Sequence, residues 1–189
     1  KINVVKGLNL NGRTEFTDYG TYLDVTNMSN QTVPDLGDGT VTWNFPQAQK
    51  ERFYYKCALD KSQITLPWDF DVSYKLNGVP TDGDKLAGAG GLIEIHVKAT
   101  PNDNANLYYR NNMMLMVTVP VDMSKCYSVD ADGAQIQSLG STTAAVFSAL
   151  PGEEGDYTVR IGTDSFETTG VIMAMAPGTI DDLNHIKDL

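Results

Sequence analysis

Hydrophobic and polar residues alternate along many short segments of this chain, most clearly between Leu66 and Lys98. From residue 70 to residue 76 every second side chain is apolar, and the same alternation returns between residues 93 and 98. A period of two residues is typical of a strand with one buried face. The glycines and prolines between the two runs exclude a long helix, and Asn77-Gly78 is typical of a turn. We therefore predict two strands joined by a turn-rich crossing.

Short apolar runs separated by turn residues also fill the chain before residue 60. They predict strands over residues 2–8, around residues 22–28, over residues 41–45 and over residues 51–59. Trp43 alternates with Val41 and Phe45 and is expected in the core. We predict that residues 1–59 form an N-terminal β-meander.

After residue 100 a polar loop precedes a long apolar run from Tyr108 to Val119. Because both faces of this run are apolar, we expect one central strand that is covered on two sides. Further short strands are expected around residues 129–139, 145–147, 157–161 and 171–175. Many short strands at regular spacing favour an all-β fold over an alternating α/β fold. We predict an immunoglobulin-like β-sandwich over residues 60–177.

The pattern changes at Pro177-Gly178, which ends the last strand. Thr179 is a suitable N-cap for a helix, and Ile180, Leu183 and Ile186 recur every three residues. We predict a short C-terminal helix over residues 178–189, which begins a helical stalk and offers a surface for oligomerisation. Since the chain begins in a strand pattern and ends in a helix pattern, we expect it to be a fragment of a larger protein.

Composition and charge narrow the possible partners. The 189 residues are 41 % hydrophobic and 20 % charged, which favours a folded domain. The formal net charge is −10, whereas nucleic acids and anionic membranes attract basic surfaces. No run approaches the ~20 apolar residues of a membrane span. We expect no nucleic-acid partner, and membrane attachment only through segments outside this range.

The two cysteines, Cys57 and Cys126, allow at most one disulfide. Cys57 lies on the apolar side of its predicted strand, whereas Cys126 lies opposite the apolar side of its own. This mismatch favours two free thiols. Neither cysteine has a second cysteine or a histidine at metal-ligand spacing.

Catalytic and metal-binding signatures are absent from the sequence. There is no Gly-x-Ser-x-Gly motif, and His96 and His185 do not pair at helical spacing. Asp130-Ala131-Asp132-Gly133 lacks the later ligands of a calcium loop and is interpreted as a β-turn. The methionines of residues 113–116 and 173–175 are interpreted as core filling, although thioethers also bind copper(I). We predict a protein that is not an enzyme and holds no metal or cofactor.

Exposed aromatic side chains are the remaining candidates for a binding site. Tyr108 and Tyr109 are adjacent, and Trp68 follows Pro67 at the start of a predicted strand. A sugar ring can stack on such side chains if they are exposed on one face. Trp68, Tyr108 and Tyr109 are therefore predicted ligand-binding residues. Of the two tryptophans, Trp68 is a better candidate for exposure than Trp43.

Several local motifs resemble a known group of surface proteins. In order they are Leu66-Pro67-Trp68-Asp69, Tyr74-Lys75-Leu76-Asn77-Gly78, Leu86-Ala87-Gly88 before Gly91, the apolar run at 113–119, and Ala149-Leu150-Pro151-Gly152. Together, over about residues 60–177, they resemble the extracellular domains of large Gram-positive membrane proteins related to the phage-infection-protein group. Ala89-Gly90 stands where that group has Lys-Ser, and Asn77 stands where it usually has Asp.

The resemblance implies a membrane-anchored module on the extracellular face of the cell membrane, followed by helical segments and membrane spans. It supplies no catalytic residue, and a role in phage adsorption or export is known only for relatives. We expect a non-catalytic structural or interaction module whose partner is a protein or a cell-surface glycan. The alternative is a carbohydrate-binding module or adhesion domain.

Overall fold

The computed structural model describes residues 2–167 and 170–178. Strands account for 56 % of the described residues and helices for 7 %, which confirms the prediction of an all-β fold. The described residues up to Thr65 form one compact unit, and those from Leu66 onward form a second. No helix in the described ranges has the length and apolar character needed to span a membrane.

The first unit contains two three-stranded antiparallel sheets, in the orders β1-β6-β3 and β2-β5-β4. Only β4 and β5 are neighbours both in sequence and in a sheet, so the topology is more complex than the predicted meander. The strands β2 and β4 were not predicted from the sequence. The strands are β1 (Ile2–Asn9), β2 (Glu15–Tyr19), β3 (Asp24–Asn27), β4 (Asp35–Gly37), β5 (Thr40–Asn44) and β6 (Arg52–Leu59).

An aromatic cluster forms the core of this unit. The alternation along β5 and β6 buries Trp43, Phe53 and Tyr55, none of which is more than 1 % exposed. The ring centroids of Trp43 and Phe53 are 4.9 Å apart in an edge-to-face arrangement. The prediction that Trp43 lies in the core is confirmed.

The second unit contains two further antiparallel sheets. One has five strands in the order β11-β14-β9-β7-β8, and the other has four in the order β12-β13-β10-β15. The elements are β7 (Trp68–Leu76), β8 (Val79–Pro80), β9 (Gly91–Pro101), α1 (Leu107–Asn112), β10 (Met113–Asp122), β11 (Cys126–Asp130), β12 (Gln135–Leu139), β13 (Thr142–Ala149), β14 (Gly155–Thr163) and β15 (Ile172–Pro177).

These two sheets share one hydrophobic core and form a β-sandwich. Ile93, Ile95 and Val97 of β9 are buried in the same cluster as Leu115 and Val117 of β10. In the five-stranded sheet, the order β7-β9-β14-β11 corresponds to the A-B-E-D order of immunoglobulin domains. The hairpin β12–β13 is added at the side of β10 that β15 does not occupy.

The turn between β7 and β8 follows the sequence prediction. Asn77 and Gly78 have φ angles of 50° and 82°, the two positive values that a type I′ hairpin turn requires. The Asn77 side chain also accepts a 2.9 Å hydrogen bond from the backbone N–H of Leu92. The turn is thereby attached to the start of β9.

The predicted strand from Tyr108 to Val119 is wrong in its first part. Leu107–Asn112 form the short helix α1, and β10 begins only at Met113. The carboxamide of Asn106 accepts a 2.9 Å hydrogen bond from the backbone N–H of Tyr108 and so caps the helix. Asn112 in turn donates to the carbonyl of Tyr108 at 2.8 Å. These side-chain bonds favour a helical turn over an extended chain.

The expectation that this strand is covered on two sides is also wrong. β10 is an inner strand of its sheet, but Met116 on its outward side is 47 % exposed. The outward residues of β10 therefore form a surface. The predicted C-terminal helix beyond Gly178 lies outside the described residues.

Candidate functional site

The two outward surfaces of the β-sandwich differ sharply in charge. We call the outward side of the five-stranded sheet the charged face. On it the Arg160 guanidinium lies 3.0 Å from the Glu94 carboxylate, and His96 lies beside Asp156. Asp71 is paired in register with Lys98 on the neighbouring strands β7 and β9. Because these side chains are at least partly exposed to solvent, each ion pair contributes little to stability, and the face as a whole remains hydrated.

We call the outward side of the four-stranded sheet the uncharged face. Its side chains alternate with the buried residues of the same strands, so their identity follows from the strand register. They are Met114, Met116, Thr118 and Pro120 of β10, Thr142, Ala144, Val146 and Ser148 of β13, Ile172, Ala174 and Ala176 of β15, and Gln135, Gln137 and Leu139 of β12. Among the described residues of these strands, Asp122 at the end of β10 is the one charged side chain facing outward.

The uncharged face combines exposed apolar side chains with small ones. Met116, Ile172 and Leu139 are 47 %, 54 % and 76 % exposed. Ala174 lies opposite Met116 on the adjacent strand, and its small side chain protrudes little from the surface. Contiguous exposed apolar surface is typical of an interaction site, and charged residues are depleted from the centres of protein interfaces. The chain has a net charge of −10, and this face carries almost none of it.

A second candidate site is a groove in the first unit, which we call the amide groove. It has a volume of about 590 Å³ and is lined by five carboxamide side chains, one hydroxyl and two apolar side chains. No charged residue lines it. The lining residues are Asn30, Gln31, Thr32, Val33, Asn44, Pro46, Gln47 and Gln49.

Hydrogen bonds of asparagine and glutamine side chains shape the amide groove. The Asn27 carboxamide accepts from the backbone N–H of Asn30 at 2.9 Å and donates to the carbonyl of Thr32 at 2.8 Å, which fixes one wall. On the other wall Gln49 donates to the carbonyl of Gln47 at 2.8 Å. The Asn30 carboxamide donates to that of Gln49 at 3.4 Å and connects the two walls.

A cluster of ionisable residues connects three strands of the first unit. Asp18 on β2 accepts hydrogen bonds on one carboxylate oxygen from the Lys6 ammonium at 2.7 Å and from the hydroxyls of Tyr22 and Tyr55, both at 2.8 Å. Lys6 also donates to the Tyr22 hydroxyl at 2.7 Å. Lys6 lies on β1 and Tyr55 on β6, so the cluster joins the two sheets of this unit.

The pKa values in this cluster favour the charged pair. Burial raises the pKa of Asp18, but the hydrogen bonds from Lys6, Tyr55 and Tyr22 outweigh burial and hold it below its usual value. Burial lowers the pKa of Lys6, and its bonds to Asp18 and Tyr22 more than compensate. The pKa of Tyr55 is raised by burial and by its bond to Asp18. With every group held in its ordinary charge state, the cluster is suited to structural support.

The three sequence-predicted binding residues do not form one platform. Trp68 is 1 % exposed, so the expectation that it is exposed is wrong. Its indole N–H donates to the backbone carbonyl of Glu153 at 2.7 Å, which allows this large ring to be buried without an unpaired donor. Tyr108 and Tyr109 on α1 are exposed, but their rings meet at 71°. They therefore offer no flat surface in common, and their role in binding stays a prediction.

The other sequence candidates lie apart from one another. Both Cys57 and Cys126 are free, as predicted, and they belong to different units. Burial raises the pKa of the Cys57 thiol, which makes it less reactive. The described residues contain no group of three or more histidine, cysteine or acidic side chains placed to hold a metal ion. His185 lies outside the described residues.

Sequence reasoning missed both candidate sites. The uncharged face follows from the pairing of β10 with β13 and β15, and the amide groove brings residues 30–33 against residues 44–49. One signal was available for the first of them, since the methionines at 114 and 116 alternate with the core residues of β10. Comparison of this chain with protein-family models, curated proteins and solved structures finds no match.

Proposed function

We propose that this protein is a non-catalytic interaction module that binds another protein through the uncharged face. The observation that carries the proposal is the difference between the two outward surfaces of the sandwich. One is covered with ion pairs, and the other exposes Met116, Ile172 and alanines with a charged residue only at its end. A surface without charge in so acidic a chain loses little hydration free energy when a partner covers it.

The partner is a protein with an apolar, uncharged patch of its own. The small side chains Ala174 and Ala176 allow close approach, and Met116 adapts its shape to the surface that it meets. An anionic lipid surface is disfavoured by the net charge of −10. A second copy of the chain is disfavoured as the partner, because two molecules that each carry a net charge of −10 repel each other.

The motifs at residues 66–91 and 149–152 bear on where in the cell this module works. Their resemblance to extracellular domains of Gram-positive membrane proteins supports a location on the cell surface, anchored by segments outside this range. The module would then present the uncharged face to another surface protein.

Site-specific photocrosslinking tests the proposal. A photoreactive amino acid is placed at residue 116 on the uncharged face, and at residue 71 on the charged face as the matched control. The full chain is displayed on cells of the producing bacterium. We expect one protein partner to be captured from position 116 and not from position 71, and mass spectrometry identifies it.

Binding to the purified partner then provides the quantitative test. Met116→Lys places a charge at the centre of the face and is expected to weaken binding by roughly tenfold or more, because the interface would bury that charge. Asp71→Lys changes the charge of the charged face and should alter the dissociation constant by no more than about twofold. Equal capture from both positions, capture of lipid alone, or capture of a second copy of this chain would contradict the proposal.

A further inference from the structure

We infer that the amide groove of the first unit is a binding site for a neutral saccharide. The groove is open to solvent, and its volume of about 590 Å³ falls within the range of ligand-binding pockets, roughly 300–1,000 Å³. The inference does not rest on the proposed function, since the groove and the uncharged face belong to different units.

The chemistry of the groove matches hydroxyl groups. A carboxamide presents a carbonyl acceptor and two N–H donors on one rigid plane, and a sugar hydroxyl likewise both donates and accepts. Five carboxamides line the groove, so one carboxamide can donate to one hydroxyl of a sugar ring and accept from the adjacent hydroxyl. Val33, which is 82 % exposed, and Pro46 supply apolar contact for the C–H groups of the ring.

Two of the carboxamides are available for a ligand. The side chains of Gln31 and Gln47 make no hydrogen bond to any described residue and are exposed. Asn30, Asn44 and Gln49 are instead engaged in bonds that shape the walls. The groove thus has a fixed frame and two free polar side chains, so a ligand need not displace existing bonds at these two residues.

The lining also favours a neutral ligand over other classes. An anionic ligand would find no cationic side chain in the groove, and a cation would find no lining carboxylate. An extended peptide that adds to a sheet gains much of its affinity from main-chain hydrogen bonds to the edge of a strand, whereas this groove is formed mostly by loops. The groove is formed by two loops, residues 30–33 and residues 46–49, together with Asn44, the last residue of β5.

An array of immobilised neutral oligosaccharides, built from glucose, mannose, galactose or N-acetylglucosamine, provides the test with the full chain. We expect binding to at least one of them that is insensitive to salt. Gln31→Ala and Gln47→Ala are each expected to weaken it by roughly 3- to 10-fold, the loss of about one hydrogen bond. Gln135→Ala and Gln137→Ala on β12 are matched controls that should leave it unchanged. Competition by the free monosaccharide distinguishes recognition of a chain end from recognition of the polymer.

Three results would overturn the inference: no binding to any neutral oligosaccharide, binding that the two groove variants do not weaken, or a groove that takes a peptide from a random library instead. Because Met116 is in the other unit, Met116→Lys should leave saccharide binding intact. Failure of this inference is thereby separate from failure of the proposed function.

Discussion

At the scale of single residues, Asp18 connects the two sheets of the first unit. Three donors converge on one oxygen of a side chain that is only 12 % exposed, and they come from β1, β6 and the segment after β2. The carboxylate therefore joins parts of the chain that are distant in sequence. Replacing it leaves the Lys6 ammonium half-buried without its counter-ion.

Asp18→Asn is expected to reduce the free energy of unfolding of the first unit by about 2–4 kcal/mol. The amide retains the shape of the carboxylate but removes its charge and its capacity to accept three charge-strengthened bonds. Urea denaturation followed by tryptophan fluorescence measures the change, since Trp43 lies in the core of this unit. Asp38→Asn, at an exposed turn, is the matched control and should change stability by less than about 0.5 kcal/mol.

The difference in stability between the wild type and Asp18→Asn has a predictable dependence on pH. The pKa of Asp18 is below its usual value of 3.8, so its stabilisation is present above that value and is lost as the pH falls through the lower, folded-state pKa. The pKa of Lys6 is above its usual value of 10.5, so its share is lost only as the pH rises through the higher, folded-state pKa. The stability difference between the wild type and Asp18→Asn should therefore be constant between about pH 5 and 9 and shrink on both sides. A difference that changes steadily across neutral pH would contradict this account.

At the scale of elements, the β7–β8 hairpin depends on the backbone of its turn. Gly78 has a φ angle of 82°, and any residue with a side chain adopts this angle at a cost in free energy. A Cβ added to Gly78 would meet no atom within 4 Å. The cost of a substitution is therefore conformational and should follow the tolerance of each residue for positive φ.

We expect the melting temperature of the second unit to fall in the order glycine, asparagine, alanine, valine at position 78, with a cost of about 1 kcal/mol for Gly78→Ala. Gly78→Asn is the internal control, because asparagine adopts positive φ more readily than alanine. Differential scanning calorimetry measures the series. Equal stability of the asparagine and valine variants would show that the turn does not hold the conformation described above.

At the scale of the whole molecule, each unit has its own sheets and its own core. We expect a fragment of residues 66–189 to fold without the first unit and to show cooperative thermal unfolding by circular dichroism. A fragment of residues 91–189 is the control. It lacks β7, which pairs with β9 along its length and carries the buried Trp68, and should remain unfolded. Loss of the strand signal in the longer fragment would mean that the second unit needs the first.

The sequence by itself determined most of the longer strands, their inner faces and several turns. Alternation of Ile93, Ile95 and Val97 with polar residues is enough to say which side of β9 is buried, because side chains of a strand point to opposite faces in turn. Asn77-Gly78 is likewise a local signal, since a two-residue type I′ turn requires positive φ at these two adjacent positions.

Only the tertiary structure decided which strands are neighbours, and with that both candidate sites. The uncharged face exists because β10 pairs with β13 and β15, and the amide groove exists because two distant loops meet. Trp68 packs into the core of the sandwich, and the carbonyl of Glu153, far along the chain, accepts its N–H. Such contacts join residues that are remote in sequence, so the local pattern of polar and apolar positions does not contain them.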